Sequence, residues 1–307
     1  MIKVEDTNAA GIAAQFVAAR RQAGSPAMGM VMTLVIVVEE EHAKTAMAAA
    51  RLAAREHPAR LLGMVLGTVR GASRIDAEVD VGAREGGEQA LIRLSGPVTH
   101  HAESVVLPLL LPDSPVVVWW PGKAPDEPGA DPVGALAKRR ITDAAAVPSG
   151  KGRAMFTQCR GYTDGNTDLA WTRVTGWRAL LASALDQVEA KVSGASVTAE
   201  RISPSADLLS AWLAGRLKVR VDRHFSKGPG ITHVVLRTRT GDVTLARTDG
   251  RLATLSSPGQ PDRPIALKRR ELPELLTEEL RRLDPDDAYR DTVKKLLRDH
   301  ARGAAKR

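Results

Sequence analysis

The chain has 307 residues, of which 43% are apolar and 26% charged, which excludes a disordered polyelectrolyte and, at about 100–200 residues per domain, favours two folded domains. Its single cysteine, Cys159, excludes an intramolecular disulfide and fits a reducing compartment. The net charge of the chain is +8, and residues 201–307, with 23 Lys and Arg and 14 Asp and Glu, carry +9 of it against −1 for the rest. Such a basic half indicates an acidic partner, a phosphorylated ligand or nucleic acid, although Arg-rich surfaces also occur without one.

The first half of the sequence alternates helix and strand patterns. An amphipathic pattern over residues 8–23 predicts a helix that stops at residues 24–26, where Gly, Ser and Pro follow one another. Two apolar runs, 31–38 and 60–70, predict buried strands. The Ala-rich segment 39–55 between them predicts a helix, and a strand–helix–strand unit of this length implies parallel pairing.

The rest of this half predicts shorter elements around a loop rich in Pro, Gly and acidic residues at 121–132. These elements are a hairpin over 75–81 and 89–94 joined by Gly86 and Gly87, a helix over 104–111, a strand over 116–120 and a helix that starts at Asp131 and runs to residue 140. We therefore expect residues 1–165 to form a three-layer-like α/β domain with a mixed sheet.

The second half combines helices with short strands. Strand patterns separated by glycine-bearing turns predict an antiparallel meander over residues 219–267. The other predicted elements are a helix over 168–185 capped by Asp168, a strand over 197–202, a helix that ends at 217, and two closing helices over 272–283 and 286–301. We expect residues 166–307 to form an α+β domain.

The sequence lacks the usual motifs for catalysis, cofactors and metals. Three glutamates at 39–41 follow the first buried strand, where they would repel a pyrophosphate, and no Gly-x-x-x-x-Gly-Lys-Ser/Thr loop occurs. The seven histidines lack metal-ligand spacing. Arg160 would lower the pKa of the Cys159 thiol if the two side chains met, but a free cysteine is more often a small buried hydrophobe. We expect no catalytic, cofactor-binding or metal-binding residues.

Four long segments occur in a characteristic order along the chain. They are REHPARLLGMV at 55–65, PLLLPDSPVVVWWPG at 108–122, KRRITDAA at 138–145 and DLAWTRVTGWRALLASALD at 168–186. In this order and spacing they closely resemble the OpcA family of glucose-6-phosphate dehydrogenase assembly proteins. The resemblance covers nearly the whole chain.

This resemblance implies a protein that is not an enzyme. It implies association with glucose-6-phosphate dehydrogenase, promotion of the active oligomer of that enzyme and an increase in its activity, in support of the oxidative pentose phosphate pathway and NADPH supply. Some relatives are described as redox-responsive through cysteine pairs. Because this chain has Cys159 alone, an internal dithiol switch cannot operate in it.

The residues themselves suggest where the dehydrogenase would bind. Trp119 and Trp120 face opposite ways in a strand, so one fills the core while the other either anchors a partner or is covered by the fold. Trp171 and Trp177 lie about 240° apart around a helix, so they cannot share one face. If Trp177 fills the core, we expect Trp171 to reach the domain junction or a partner. The cationic candidates are Arg139 and Arg140, expected to form an exposed ion network with Asp143, and the cluster Lys268, Arg269 and Arg270, expected to meet an acidic protein surface.

We therefore expect a non-catalytic assembly factor and allosteric activator of glucose-6-phosphate dehydrogenase that is cytoplasmic and uses no cofactor. The start of the sequence has no secretory pattern and the longest apolar run, 28–38, is shorter than the roughly 18 residues that cross a bilayer, so no membrane partner is expected. An enzyme that binds a sugar phosphate or nucleotide is one alternative. A nucleic-acid-binding protein is another, but residues 219–267 contain one aromatic, Phe225, where a single-strand binder would offer several; we expect no nucleic-acid partner.

Overall fold

The computed structural model describes residues 2–23, 29–82, 87–188, 190–247 and 249–304. The chain divides into two units, each built from three segments. Unit 1 comprises the described residues of Met1–Asp143, Thr163–Thr167 and Leu272–Pro285, and unit 2 those of Ala144–Tyr162, Asp168–Glu271 and Asp286–Arg307. The predicted boundary between domains 1–165 and 166–307 stays a prediction.

The strands and α-helices of the described residues have the following bounds. The strands are β1 (Ile2–Val4), β2 (Met32–Val38), β3 (Ala59–Leu66), β4 (Arg74–Gly82), β5 (Gly87–Ser95), β6 (Val116–Trp119), β7 (Arg139–Thr142), β8 (Asn166–Asp168), β9 (Val192–Ala199), β10 (Val221–Phe225), β11 (Ile231–Thr238), β12 (Gly241–Ala246), β13 (Leu252–Ser256) and β14 (Arg263–Ala266). The α-helices are α1 (Ala9–Ala23), α2 (Glu40–Ala54), α3 (Ala102–Val106), α4 (Lys151–Arg160), α5 (Leu169–Thr172), α6 (Thr175–Leu185), α7 (Pro204–Leu217), α8 (Leu272–Arg281) and α9 (Asp287–Ala304).

The sheet of unit 1 has the strand order β1-β4-β5-β3-β2-β6-β7-β8. β2 pairs in parallel with β3 and β6, β3 with β5, and β6 with β7, whereas β4 pairs antiparallel with β1 and β5. At the centre of the sheet, Leu34 lies between Leu61 and Val117. The predicted parallel unit, the hairpin and the mixed sheet are confirmed.

Helices cover both faces of this sheet, which gives unit 1 three layers. On one face, Phe16 of α1 packs in a common core with Leu62 and Met64 of β3. Gly63 faces the other way, and a Cβ atom there would lie 2.7 Å from the Sδ atom of Met47 in α2. The central strands β2 and β3 are mainly apolar because α1 and α2 bury both of their faces. Their two polar side chains, Thr33 and Arg60, are buried with hydrogen-bond partners.

The predicted helix over residues 131–140 is wrong. Asp131 does cap a turn, since its Oδ1 atom accepts hydrogen bonds from two backbone amides at 3.0 and 2.9 Å, but the turn closes as a short 3-10 helix at Gly134–Leu136. The chain then enters β7, which pairs in parallel with β6. Sheet pairing satisfies the backbone groups that a helix would otherwise satisfy. The predicted helix over 104–111 is likewise reduced to α3 and the flanking 3-10 turns.

The sheet of unit 2 has the order β10-β9-β11-β12-β13-β14. The strands from β11 to β14 form an antiparallel meander, as predicted. β10 departs from the prediction because it pairs in parallel with β9, with Val221 opposite Ala195. The reason is the connection through α7, since a strand reached by a helical crossover returns in parallel.

The predicted helix over residues 168–185 is divided into α5 and α6. Asp168 caps it as predicted, because its Oδ1 atom accepts a hydrogen bond from the Ala170 amide at 2.8 Å. Trp177 of α6 packs in the core of unit 2 with strand residues such as Val197 and Leu236. This part of the sequence therefore forms a core helix pair that supports the sheet.

Some predictions cannot be compared with the structure. The helix stop at residues 24–26 and the turn residue Gly86 lie outside the described residues. Within the described ranges, no helix has the length and apolar character that crossing a bilayer requires.

Candidate functional site

The two consecutive tryptophans at the end of β6 are both buried. Trp119 is 0% exposed and Trp120 is 2% exposed. They point to opposite sides, and Trp120 packs in the same core as Phe16. Of the two alternatives for these indoles, the covered one therefore holds for both, and neither is available as a surface anchor.

Arg139 and Arg140 of β7 also face opposite sides and are buried. The Arg139 guanidinium donates to the carboxylate of Glu279 in α8, with Nε 3.1 Å from Oε2, and to the Asp284 carbonyl at 2.9 Å. Arg140 donates to carbonyl groups of unit 1, one of them at 2.8 Å. The exposed network expected with Asp143 is wrong in its exposure, since all three side chains are buried and Glu279, 140 residues further on, supplies a carboxylate to Arg139.

Trp171 lies in the core of unit 2 and is 1% exposed. Its Nε1 atom donates to Asp286 Oδ2 at 2.8 Å. The Arg178 guanidinium lies 3.6 Å from the centre of the indole ring, and the ring of Tyr289 lies 5.6 Å from it. Trp171 thus holds α9 and α6 to α5 rather than facing solvent.

The cationic segment 268–270, in contrast, reaches the surface. Lys268 and Arg269 are exposed and Arg270 is half-buried, donating to the Thr172 carbonyl. The segment follows β14, and its backbone is fixed by a hydrogen bond of 2.7 Å from the Arg269 amide to the Gly250 carbonyl. It is the part of the predicted set that a partner or ligand can contact directly.

These three cations line a cavity of about 530 Å³ in unit 2, which we call the basic pocket. The cationic side chains of its wall are Lys151, Arg173, Arg247, Lys268, Arg269 and Arg270. Two carboxylates, Glu200 and Glu271, also line it. All of the lining belongs to unit 2, so one unit by itself brings the six cations together.

Arg247 forms the buried part of the basic pocket. It is 7% exposed, and its guanidinium donates to the carbonyls of Leu267 and Ile231 at 3.1 and 3.2 Å. The guanidinium also lies over the ring of Trp177, 5.1 Å from its centre. Burial, and then the positive charge of Arg269, lowers the pKa of Arg247 to about 10. The group remains cationic at neutral pH.

The sequence did not indicate Lys151, Arg173 or Arg247 as members of a site. They lie apart along the chain, at the start of α4, after α5 and after β12, and the fold of unit 2 brings them together at one cavity. One local signal was present at Lys151, which begins α4. A cation is electrostatically unfavourable at a helix amino terminus, so a lysine there is a residue that requires an explanation.

Cys159 is a buried thiol in α4. Burial, and then the negative charge of Asp168, raises its pKa to about 12, and its Sγ atom lies 3.6 Å from the Sδ atom of Met155. A thiol with this pKa is protonated and unreactive at neutral pH, which agrees with its interpretation as a small buried hydrophobe. In the described part of the chain, no group of three or more His, Cys, Asp or Glu side chains is placed to hold a metal ion.

Two family models match the sequence. Residues 50–158 match the N-terminal domain of a glucose-6-phosphate dehydrogenase subunit, and residues 164–293 match the C-terminal domain of such a subunit. A comparison with curated proteins gives no match. The two matched ranges together span most of the chain and contain every predicted contact residue.

Solved structures of similar shape include two oxidoreductases. A 3-ketoreductase from Actinomadura kijaniata is 12% identical, with a TM-score of 0.48, over 88% of this chain and 96% of that one. An oxidoreductase from Sinorhizobium meliloti is 10% identical, with a TM-score of 0.42, over 89% of each chain. At this level of similarity neither structure informs the function.

Proposed function

This chain belongs to the OpcA family of glucose-6-phosphate dehydrogenase assembly proteins, and on that premise we propose that it is a non-catalytic assembly factor and allosteric activator of that dehydrogenase. The observation that carries the proposal is the match of both family models, over residues 50–158 and 164–293. In this role the protein acts in the cytoplasm and supports the oxidative pentose phosphate pathway and NADPH supply.

Activation without catalysis requires differential binding. An activator raises activity only if it binds the active form of the enzyme more tightly than the inactive form. A difference of about 1–3 kcal/mol shifts the balance between the two forms roughly 5–150-fold. A pre-organised surface favours this mechanism because less free energy is lost in ordering it on binding.

The cationic segment 268–270 is our candidate for contact with the dehydrogenase. Lys268 and Arg269 are exposed, and they belong to the half of the sequence that carries a net charge of +9. Such a charge attracts an acidic surface over long range and raises the association rate at low salt. The buried members of the predicted set support the fold in this proposal and do not touch the partner; they are Trp119, Trp120, Arg139, Arg140 and Trp171.

A titration tests the proposal directly. The full chain is added in increasing amounts to its cognate glucose-6-phosphate dehydrogenase, and the initial velocity of NADPH formation is recorded. We expect the velocity or the substrate affinity to rise and saturate, and the two proteins to co-elute in size-exclusion chromatography. The chain alone, at the same concentrations, is the control and should form no NADPH.

Two results would contradict the proposal. One is an unchanged velocity and substrate affinity together with separate elution of the two proteins. The other is turnover of glucose 6-phosphate by the chain alone, which would make it an enzyme. An association rate that stays constant between low and high salt would leave assembly intact but remove the electrostatic part of the proposal.

A further inference from the structure

We propose that the basic pocket of unit 2 binds a small phosphorylated ligand. This property goes beyond the proposed function and does not depend on it, since the pocket is complete within the chain. Its basis is a cavity of about 530 Å³ whose wall carries six cationic side chains and two carboxylates.

The positive charge of the wall of the basic pocket is the first reason to expect an anionic ligand. Like charges around one cavity repel each other, and the repulsion is stronger where the protein replaces water around them. Arg247 shows this repulsion, because the charge of Arg269 adds to burial in lowering its pKa. A multivalent anion between the cations would convert the repulsion into attraction.

The second step is that two of the cations are held in fixed positions. Arg247 is tied to two backbone carbonyls. The Arg269 side chain passes closely over two glycines: a Cβ atom at Gly250 would lie 3.3 Å from its Cδ atom, and one at Gly230 would lie 3.4 Å from its Nη2 atom. Both glycines have a positive φ, +78° and +64°, a conformation that other residues rarely adopt. The absence of side chains at these two glycines therefore leaves room for the Arg269 side chain and positions its guanidinium before any ligand binds.

The third step is the position of the pocket in the crossover β9–α7–β10. Pro204 and Ser205 at the amino end of α7 line the pocket, and the Ser203 hydroxyl caps the helix by accepting a hydrogen bond from the Ala206 amide at 3.4 Å. α7 has 14 residues, and the amino end of such a helix attracts anions. Ligands of parallel crossover units bind beyond the carboxyl ends of the strands, which is where β9 meets this pocket.

The size and the polar character of the pocket define the ligand class. A volume of about 530 Å³ exceeds what one phosphate group fills and lies within the roughly 300–1,000 Å³ of small-molecule sites. Glu200 and Glu271 add hydrogen-bond acceptors to the same wall. Cations for a phosphate and acceptors for hydroxyl groups together suit a phosphorylated metabolite rather than an apolar ligand.

Isothermal titration calorimetry with inorganic pyrophosphate tests this inference on the isolated full chain. The pocket variant is Lys268→Glu with Arg269→Glu. The matched control is Lys191→Glu with Arg239→Glu, which changes the net charge equally at exposed positions outside the pocket. Because all four residues are exposed, we expect both variants to keep the wild-type circular dichroism spectrum and melting temperature.

We expect pyrophosphate to bind the wild-type chain and to raise its melting temperature. The pocket variant should weaken binding about tenfold or more, and the control less than about twofold. No binding to the wild-type chain, or an equal loss in both variants, would overturn the inference. If pyrophosphate fails to bind while the dehydrogenase is still activated, this inference is wrong and the proposed function stands. If pyrophosphate binds but the dehydrogenase is not activated, the inference stands and the proposed function is wrong.

Discussion

The buried ion pair between Arg139 and Glu279 provides a quantitative test of how unit 1 is held together. It joins β7 to α8, and the two side chains are 5% and 6% exposed. Glu279→Gln keeps the shape of the side chain but leaves the guanidinium without this counter-charge in a medium of low dielectric constant. Removal of one partner of a buried pair costs about 3–5 kcal/mol. Because Arg139 also donates to the Asp284 carbonyl, we expect about 3 kcal/mol.

An exposed ion pair on the same helix is the matched control. Arg281 of α8 lies 3.8 Å from Glu56, with side chains 69% and 63% exposed. Glu56→Gln removes the same charge from the same unit and should cost less than about 1 kcal/mol, because water screens exposed pairs. The comparison therefore isolates burial as the cause of the difference.

Thermal and urea unfolding, followed by circular dichroism and tryptophan fluorescence, measure both variants. At about 2–4 °C per kcal/mol for a folded unit of this size, Glu279→Gln should lower the melting temperature of unit 1 by roughly 6–12 °C. The transitions of the two units are fitted separately, since a single two-state fit does not suit a chain with two units. Equal stability of the Glu279→Gln and Glu56→Gln variants would refute this reasoning.

Three further predictions concern other buried or paired groups. Because burial raises the pKa of Cys159 to about 12, the native thiol should react with dithiobis(nitrobenzoate) at pH 8 roughly 100-fold more slowly than the unfolded chain; equal absorbance time courses would contradict this. Trp171→Phe removes the hydrogen bond to the Asp286 carboxylate and should lower the free energy of unfolding by about 1.5–3 kcal/mol in urea titrations, whereas an unchanged value would show that the bond contributes nothing. The hydrogen bond from Arg74 holds the pKa of Asp76 below its usual value, so its stabilisation is present above the unfolded pKa and is lost as pH falls; the urea midpoint of wild type should fall more between about pH 5 and pH 2 than that of Asp76→Asn, and parallel curves would exclude the effect.

The central strands could be predicted because their pattern reflects local physics. A parallel strand buried on both faces is apolar at nearly every position. The run at residues 31–38 is apolar except at Thr33, whose hydroxyl accepts a hydrogen bond from the Leu111 amide at 3.1 Å. The segment 131–140 shows the limit of such reasoning. The helix start signal at Asp131 is real, because Asp131 caps a turn. The segment nevertheless ends in β7, because it pairs with β6, and the residues of β6 lie outside the segment from which the helix was predicted.

The candidate site was less predictable than the fold for a related reason. Because Trp119 and Trp120 are adjacent, their side chains must point to opposite faces of the sheet. The sequence does not show whether either side chain is exposed, because that depends on which other elements cover each face. Arg139 is buried because Glu279 reaches it from 140 residues away. The cluster 268–270 was recognisable because its charges are consecutive in the sequence. Arg247 lies beside this cluster because the antiparallel strands of the meander fold back on one another, and that pairing is not visible in the local sequence.

The arginines of this chain lie in two kinds of environment, and the contrast bears on the basic excess of residues 201–307. In unit 1, Arg60 and Arg139 are buried against the carboxylates of Glu88 and Glu279, as expected because a buried charge is costly unless it is paired and hydrogen-bonded. In the basic pocket, six cations share the wall with two carboxylates. A multivalent anion bound among these cations would add negative charge to the pocket, and the pyrophosphate titration measures whether the pocket binds such an anion.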